Sequence, residues 1–171
     1  MKNDIINSLY SSEREVVSLV TSLLSDDFAR SINDGWSVGL NLQHILDIEL
    51  LVFESAQTVN SEIEFTNKAE QIHHIMLISE RKFKAPSMFY PKEPITSANE
   101  FISKFKSIRS RIYSYIENNS LDAMSNDGHP LFGSLSQQEW FIFLHTHTLR
   151  HLKQIQSILS SSFEINDGTN S

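Results

Sequence analysis

Apolar residues recur every three or four positions along nearly the whole chain, and this spacing constrains the fold more than any other feature of the sequence. A period near 3.6 lines up side chains on one face of a helix, whereas a strand with one buried face needs a period of two. The repeating positions fall in four long segments: Ile5, Leu9, Val16, Val20, Leu23 and Leu24; Leu42, Ile45, Leu46, Leu50, Val52, Phe53 and Ala56; Phe101, Phe105, Ile108, Ile112 and Ile116; Trp140, Leu144, Ile155 and Ile158. The pattern predicts an all-α four-helix bundle and no strand.

Polar residues mark where three of these helices begin. Ser37 is suited to cap the second helix, because its hydroxyl can accept a hydrogen bond from a free backbone N–H of the first turn. The third and fourth helices open with the spacing of a capping box, Ser97 with Glu100 and Ser136 with Glu139. We therefore expect the third helix to begin near residue 98 and the fourth to run from about residue 137 to 160.

The connection between the second and third helices is too long for a hairpin turn. About forty residues separate them, and such a length permits a crossover and with it a parallel arrangement of these two helices. A shorter helix is predicted within it, over Thr66 to Phe83. We assign residues 1–160 to one domain and residues 161–171, rich in Ser, Asn and Gly, to a flexible tail.

Charge and composition exclude several classes of function. The formal net charge is -7 and the basic residues form no run, so nucleic acid is not an expected partner. The chain has no cysteine, which excludes disulfides, thiolate ligands and a cysteine nucleophile. It contains no apolar run long enough for a signal peptide or a membrane span. We expect a cytoplasmic protein that acts on a small molecule, with no membrane partner.

Two histidines in the fourth helix have the spacing of metal ligands. His147 and His151 are four residues apart, so their imidazoles lie on one helix face about 6 Å apart along the axis. His145 lies about 120° from His151 and is excluded from such a pair. A third ligand must come from another helix, and His44 is the best candidate. Three imidazoles suit Zn, Ni or Fe with a position left open, although buried histidines can also be hydrogen-bonded core residues.

Three short motifs, in order, resemble those of one known family. They are Trp36-Ser37 followed by Leu42-Gln43-His44-Ile45-Leu46-Asp47, then His129-Pro130-Leu131-Phe132-Gly133 followed by Glu139-Trp140, and His147-x-x-x-His151-x-x-Gln154. Together these resemble the DinB-like superfamily, in the branch that carries an HPxFG motif. The resemblance covers nearly the whole chain. One departure is Arg150, where many relatives have a second histidine before the last ligand.

The resemblance implies a four-helix bundle with a crossover, often a homodimer, and a divalent metal on His44, His147 and His151. Nickel or zinc is typical of the family, and iron also fits three imidazoles. Some relatives transfer low-molecular-weight thiols such as bacillithiol or mycothiol, and others are assigned as hydrolases. The resemblance does not imply DNA binding.

Four further residues are candidates for contacts with the ligands or the substrate. Asp47 and Gln154 are placed to hold the ligands or line the site. His129 either approaches the metal or is only a turn residue before a proline, and Arg150 either faces an anionic substrate or is a solvated helix residue. No catalytic side chain is assigned beyond water activated by the metal.

Two functions are consistent with these residues. One is a metal-dependent enzyme in which the open coordination position binds a thiol or water, for thiol transfer or hydrolysis. The other is a non-enzymatic small-molecule-binding or stress-related bundle with a structural metal or none. The sequence offers no fourth ligand, and this favours the enzyme.

Overall fold

A computed structural model describes residues 2–60, 67–79 and 86–161 of the chain. The described part is mostly helical, as predicted. Its α-helices and strands are α1 (Lys2–Thr21), α2 (Val38–Gln57), α3 (Ala69–His73), α4 (Ala98–Asn118), β1 (Met124–His129), β2 (Gly133–Ser136) and α5 (Gln137–Ser161).

The four long helices pack against one another around a shared apolar core. Both α1 and α2 contact α4 and α5, so each of the four has two long neighbours. The apolar stripes meet in two clusters, one built around Leu42, Phe101 and Phe105, the other around Ile112 and Phe141. The spacing of the apolar residues predicts this burial, and the burial is the main contribution to the stability of the packed helices.

Helices α2 and α4 run in the same direction. Near the start of both, the N–H of Ile95 donates to the carbonyl oxygen of Gly39 at 3.1 Å, and near their ends the hydroxyl of Tyr115 lies 3.5 Å from the carbonyl oxygen of Ala56. The first contact requires glycine, because a β-carbon at Gly39 would lie 2.2 Å from the carbonyl oxygen of Ile95. The long crossover makes this parallel pairing possible.

In its described part the crossover contains the short helix α3 and a 3-10 helix over Ser87–Phe89. Helix α3 continues as a π-helical turn over His74–Ile78, within the region predicted as helical. The ends of that prediction, Thr66 and residues 80–83, lie outside the described residues. Lys68 joins this segment to the strand pair, since its ammonium donates to the carbonyl oxygens of Phe132 and Ser134, each at 2.7 Å.

Two of the three predicted helix caps are present. The hydroxyl of Ser37 accepts from the N–H of Leu40 at 3.2 Å. The N–H of Ser136 donates to the Glu139 carboxylate at 2.8 Å, and the Glu139 N–H donates to the Ser136 hydroxyl at 3.3 Å. These reciprocal bonds form the capping box expected at the start of α5.

The capping box predicted at Ser97 is not formed, although α4 begins at Ala98 as expected. The Ser97 side chain makes no capping hydrogen bond. The carboxylate of Glu100 instead accepts from the ammonium of Lys104 at 2.7 Å, one turn further along the exposed face. A surface ion pair at this spacing competes with the cap for the same carboxylate.

The prediction that the chain has no strand was wrong. Strands β1 and β2 pair antiparallel, and Val59 forms a single bridge to Ser125 on the other side of β1. The pattern was missed because β1 contains Asn126 to Gly128, residues typical of turns, and its register shifts between Met124 and Gly128. Backbone pairing rather than alternating apolar side chains therefore defines this hairpin.

No described helix is long and apolar enough to cross a membrane. Of the predicted tail, residues 162–171 lie outside the described residues.

Candidate metal centre

Helices α2 and α5 bring His44, His147 and His151 together in the interior. The ring centroid of His44 lies 5.1 Å from that of His147 and 4.7 Å from that of His151, and the centroids of His147 and His151 are 4.5 Å apart. One nitrogen from each ring lies within 4.8 Å of the others. All three side chains are buried, with exposed fractions of 3%, 6% and 8%. This convergence is the arrangement that three ligands of a single ion require.

In two of the three rings, hydrogen bonds determine which nitrogen keeps a lone pair for a metal. Nδ1 of His44 lies 3.1 Å from the carbonyl oxygen of Phe89, and Nδ1 of His151 lies 3.0 Å from Oδ1 of Asn41. Both partners are acceptors, so each Nδ1 carries the hydrogen and each Nε2 is left with its lone pair. Metal-binding histidines are commonly oriented by such a bond from the opposite nitrogen.

The orientation of the Asn41 amide is itself fixed. Its Nδ2 donates to the carbonyl oxygens of Trp36 at 3.3 Å and Ser37 at 2.9 Å. The amide nitrogen must face these acceptors, so the amide oxygen faces His151. Asn41 was missed in the sequence, although it lies three residues before His44 on a strongly apolar helix and is buried. A buried amide at that spacing was the available signal.

The third ring, His147, has a nitrogen with no partner. Its Nδ1 is buried and makes no hydrogen bond within the described part of the chain. Burial lowers the pKa of His147 well below its ordinary value, and the nearby rings of His151 and His44 lower it further. Burial also lowers the pKa of His44 and of His151. All three imidazoles are therefore neutral at pH 7, the form that binds a metal.

Aromatic rings cover one side of the histidine cluster. The Trp36 ring lies 4.9 Å from His44 and stacks on His151 at 6.4 Å, with an angle of 16° between the planes. Tyr90 meets the same indole edge-on at 5.6 Å. Trp36 is the first residue of the motif that contains His44, and its ring shields the histidines from solvent.

A cavity of about 1320 Å³ opens onto the histidines. It lies between α2 and α5 and is bounded by the strand pair at one end and by residues 32–36 at the other. All three imidazoles line it, together with apolar and aromatic side chains that include Ile48, Leu51, Met76, Trp140 and Phe143. A cavity of this size admits a small organic molecule next to the cluster.

The structure places Asp47 on an exposed face of α2 and Gln154 at the cavity. Asp47 is exposed and accepts a hydrogen bond from Nε2 of Gln43 at 2.7 Å. Gln154 is exposed and lines the cavity. The groups that hold the histidine rings are instead the Phe89 carbonyl and the Asn41 amide, neither of which was predicted.

His129 is both a turn residue and a cavity residue. Its Nδ1 accepts from the N–H groups of Leu131 at 3.0 Å and Phe132 at 3.3 Å, which stabilises the turn between β1 and β2. Burial lowers the pKa of His129 to about 4, so the ring is neutral at pH 7. Because Nδ1 accepts two hydrogen bonds, the proton of the neutral ring lies on Nε2.

Arg150 binds backbone rather than solvent alone. Its guanidinium donates to the carbonyl oxygens of Ile75 at 3.3 Å and Met76 at 3.1 Å, in the π-helical turn of the crossover. The side chain is half-buried and also lines the cavity. Arg150 therefore joins α5 to the crossover at the edge of the candidate site.

Family comparison agrees with the class of protein that this architecture indicates. A mostly helical chain with three grouped, buried histidines is a candidate metalloprotein. The model of the DinB superfamily matches residues 8–155, so the chain belongs to the DinB superfamily. A search of the curated proteins found no match.

Proposed function

We propose that this protein is a metal-dependent enzyme of the DinB type that performs thiol transfer or hydrolysis on a small molecule. His44, His147 and His151 would hold one divalent transition metal. The observation that carries the proposal is the convergence of three buried imidazoles on one point beside a large cavity.

The donor set fits a borderline metal such as nickel, zinc or iron. Imidazole nitrogen suits these ions, and burial keeps all three rings neutral at pH 7. Nδ1 of His147 makes no hydrogen bond within the described residues, so no protein group there competes with a metal for this nitrogen.

Within the described residues, the group of candidate ligands contains three histidines and no fourth His, Asp or Glu. A structural zinc site normally has four protein ligands, whereas a catalytic site keeps one position for water or substrate. The adjoining cavity supplies space for such a molecule. These two features favour an enzyme over a bundle with a structural metal.

The surrounding residues have separable roles in this proposal. When bound, the metal acts as a Lewis acid that lowers the pKa of a thiol or water molecule. Phe89 and Asn41 hold the imidazoles in one tautomer, and Trp36 keeps bulk water from one side of them. Nε2–H of His129 is a hydrogen-bond donor at the cavity wall, suited to an acceptor oxygen of the substrate.

We further assign the four long helices to the four-helix bundle with a crossover between its second and third helices. The parallel α2 and α4 and the mutual packing of the four helices support this assignment. The homodimer and the preference for nickel or zinc stay predictions of the resemblance, as does the assignment of residues 1–160 to one domain.

The experiment is to measure the metal content of protein purified without an affinity tag, by plasma mass spectrometry. We expect close to one equivalent of Ni, Zn or Fe in the wild type and none in the His147→Ala/His151→Ala variant. His145→Ala is the matched control, since His145 lies on the same helix and outside the cluster; it should keep its metal. A wild type that stays metal-free after reconstitution with each of these ions would contradict the proposal.

A further inference from the structure

The cavity extends along α5 on both sides of the candidate metal ligands. Its lining on this helix begins at Trp140 and ends at Ile158, with His147 and His151 midway between them. Seven residues separate each histidine from the nearer end, which is about 10 Å of helix on either side. A molecule bound at the histidines can therefore extend in two directions.

One direction, which we name the closed arm, is lined by apolar side chains and ends at the hairpin. The apolar lining consists of Ile48, Leu51, Val52, Met76, Trp140 and Phe143. Near this end, hydrogen bonds hold the hairpin and the start of α5 against the last turn of α2: the Ser125 hydroxyl donates to the carbonyl oxygen of Ser55 at 2.5 Å, and Nε2 of Gln137 donates to that of Ala56 at 2.7 Å. Polar groups of the hairpin lie exposed at its rim.

The opposite direction, the open arm, has a mixed lining of aromatic, apolar and polar residues, with Ile32, Trp36 and Tyr90 among the first two kinds, and much of it is exposed. Asp34, Gln154 and Ser157 border it, and all three are exposed. The two arms share the histidines at their junction and differ in exposure: the apolar side chains inside the closed arm are mostly buried, whereas most of the open arm faces solvent. A closed apolar space gains most from an alkyl or aryl group, because water leaves both surfaces on binding.

We propose that the substrate is amphipathic, with an apolar alkyl or aryl group in the closed arm and its polar part in the open arm. The reacting bond would then lie at the junction, beside the histidines. The position of the bond rests on the proposed function, whereas the binding of the apolar group does not require a metal.

The test uses metal-free protein and linear primary alcohols from butanol to decanol, which displace the neutral dye Nile red from the cavity. Fluorescence of the bound dye gives the affinity of each alcohol. We expect affinity to rise about fourfold for each added methylene. The affinity should stop rising at about eight carbons, because a chain of that length fills an arm of about 10 Å.

Two matched variants locate the binding. Leu131 lines the closed arm at the hairpin and is 41% exposed, so Leu131→Asp places a charge there without burying it in the core. We expect it to weaken octanol binding at least tenfold. Ser157→Asp introduces a carboxylate in the open arm, and octanol affinity should stay within twofold of the wild-type value. Far-UV circular dichroism checks that both variants are folded.

Three results would overturn the inference: an affinity that does not depend on chain length, a Leu131→Asp variant that binds octanol as tightly as the wild type, or equal losses in the two variants. Because the measurement needs no metal, its outcome is independent of the metal content. If the protein binds the alcohols but takes up no metal, the proposed function is contradicted and the inference about the closed arm is not.

Discussion

Two buried polar clusters lie on different faces of α5 in this protein, and they differ in charge. One contains a pair of opposite charges, and the other consists of neutral histidines. His147 and Thr148 are consecutive residues of α5, yet they belong to different clusters. His147 joins the histidine cluster beside the cavity. Thr148 joins an ion-pair cluster in which Glu49 and Arg109 are both fully buried. Consecutive positions on a helix differ by about 100°, which explains how neighbours face different interiors.

The ion-pair cluster is charged, and its two charges pair with each other. Nη2 of Arg109 donates to the Glu49 carboxylate at 2.5 Å, and the Thr148 hydroxyl donates to the same carboxylate at 3.1 Å. Nη1 of Arg109 donates to the carbonyl oxygen of Leu9 at 3.1 Å. The network therefore links α1, α2, α4 and α5. Burial raises the pKa of Glu49, while Arg109 and Thr148 act in the opposite direction.

The histidine cluster is neutral, and it is incomplete within the described chain. Its rings are held from behind by Phe89 and Asn41, while His147 keeps an unpartnered nitrogen. A structural cluster needs every charge paired in place, whereas a binding cluster needs lone pairs that nothing else in the protein uses. Glu49 Oε2 and Arg109 Nε are also buried without a hydrogen-bond partner, so an unsatisfied atom alone does not identify a functional site. The histidine cluster differs because three neutral imidazoles converge on one point beside a cavity.

The largest expected effect is on the ion-pair cluster. Arg109→Met leaves the Glu49 carboxylate buried without its partner, and we expect the free energy of unfolding to fall by about 3–5 kcal/mol. Urea denaturation of the metal-free protein measures it. Glu49→Leu/Arg109→Met removes both charges and should recover most of the loss. A single variant that loses less than about 1 kcal/mol would show that the pair is hydrated in solution.

A smaller effect is expected on metal affinity when a supporting group is removed. Asn41→Ala takes away the acceptor for Nδ1–H of His151, and we expect metal affinity to fall by about 10- to 100-fold, measured by chelator competition. Asn41→Asp keeps an acceptor oxygen for His151 but loses the donor to the carbonyl oxygens of Trp36 and Ser37, so its affinity should lie between those of the wild type and Asn41→Ala. Gln43→Ala removes an exposed hydrogen bond two residues away and serves as the control. Equal affinities in all four proteins would show that Asn41 does not support the ligand.

Acid should destabilise the protein through its buried neutral histidines. Burial lowers the pKa of His129 and of His145 to about 4, whereas in the unfolded chain the pKa of each is about 6.5. Between these values the unfolded state binds more protons, so stability is complete above pH 6.5 and falls as the pH drops toward 4.

Urea midpoints of the metal-free protein across pH 4.5 to 7.5 measure this dependence. His145→Asn should flatten the curve, whereas His74→Asn, at an exposed position, should leave it unchanged. A midpoint that does not fall with acid would mean that these rings are solvated.

The smallest effect is expected from His147→Leu in the metal-free protein. An apolar residue of similar size removes a buried group that lacks a partner, so the free energy of unfolding should change by less than about 1 kcal/mol. Urea denaturation without metal checks this value. The same variant should bind no metal. A loss as large as that of Arg109→Met would place His147 among the structural residues and erase the contrast between the clusters.

The histidine cluster was predictable because residue type and spacing carry it. His147 and His151 share a helix face whatever the rest of the fold, and His44 lies on the most apolar helix. The support for these rings was less predictable. The Phe89 carbonyl belongs to the backbone, so its role cannot be predicted from the residue type. Its position depends on how the crossover folds. Asn41 carried a signal, as a polar residue on a buried face.

Arg109 also carried a signal that was not used. It continues the stripe of Phe101 and Phe105 toward Ile112, so the helical period alone places its charge in the core. A charge there demands a partner, and Glu49 on the apolar second helix was available. The hairpin could not be found this way, because its strands are held by backbone pairing across residues typical of turns.

The most direct test of the central claim is X-ray absorption spectroscopy of the nickel- or zinc-loaded protein, before and after addition of a small thiol. We predict three imidazole ligands and an exchangeable oxygen ligand, with a sulfur ligand at about 2.3 Å after the thiol is added. Ligation without histidine, or a closed set of four protein ligands that the thiol does not alter, would contradict the account of an open metal centre at His44, His147 and His151.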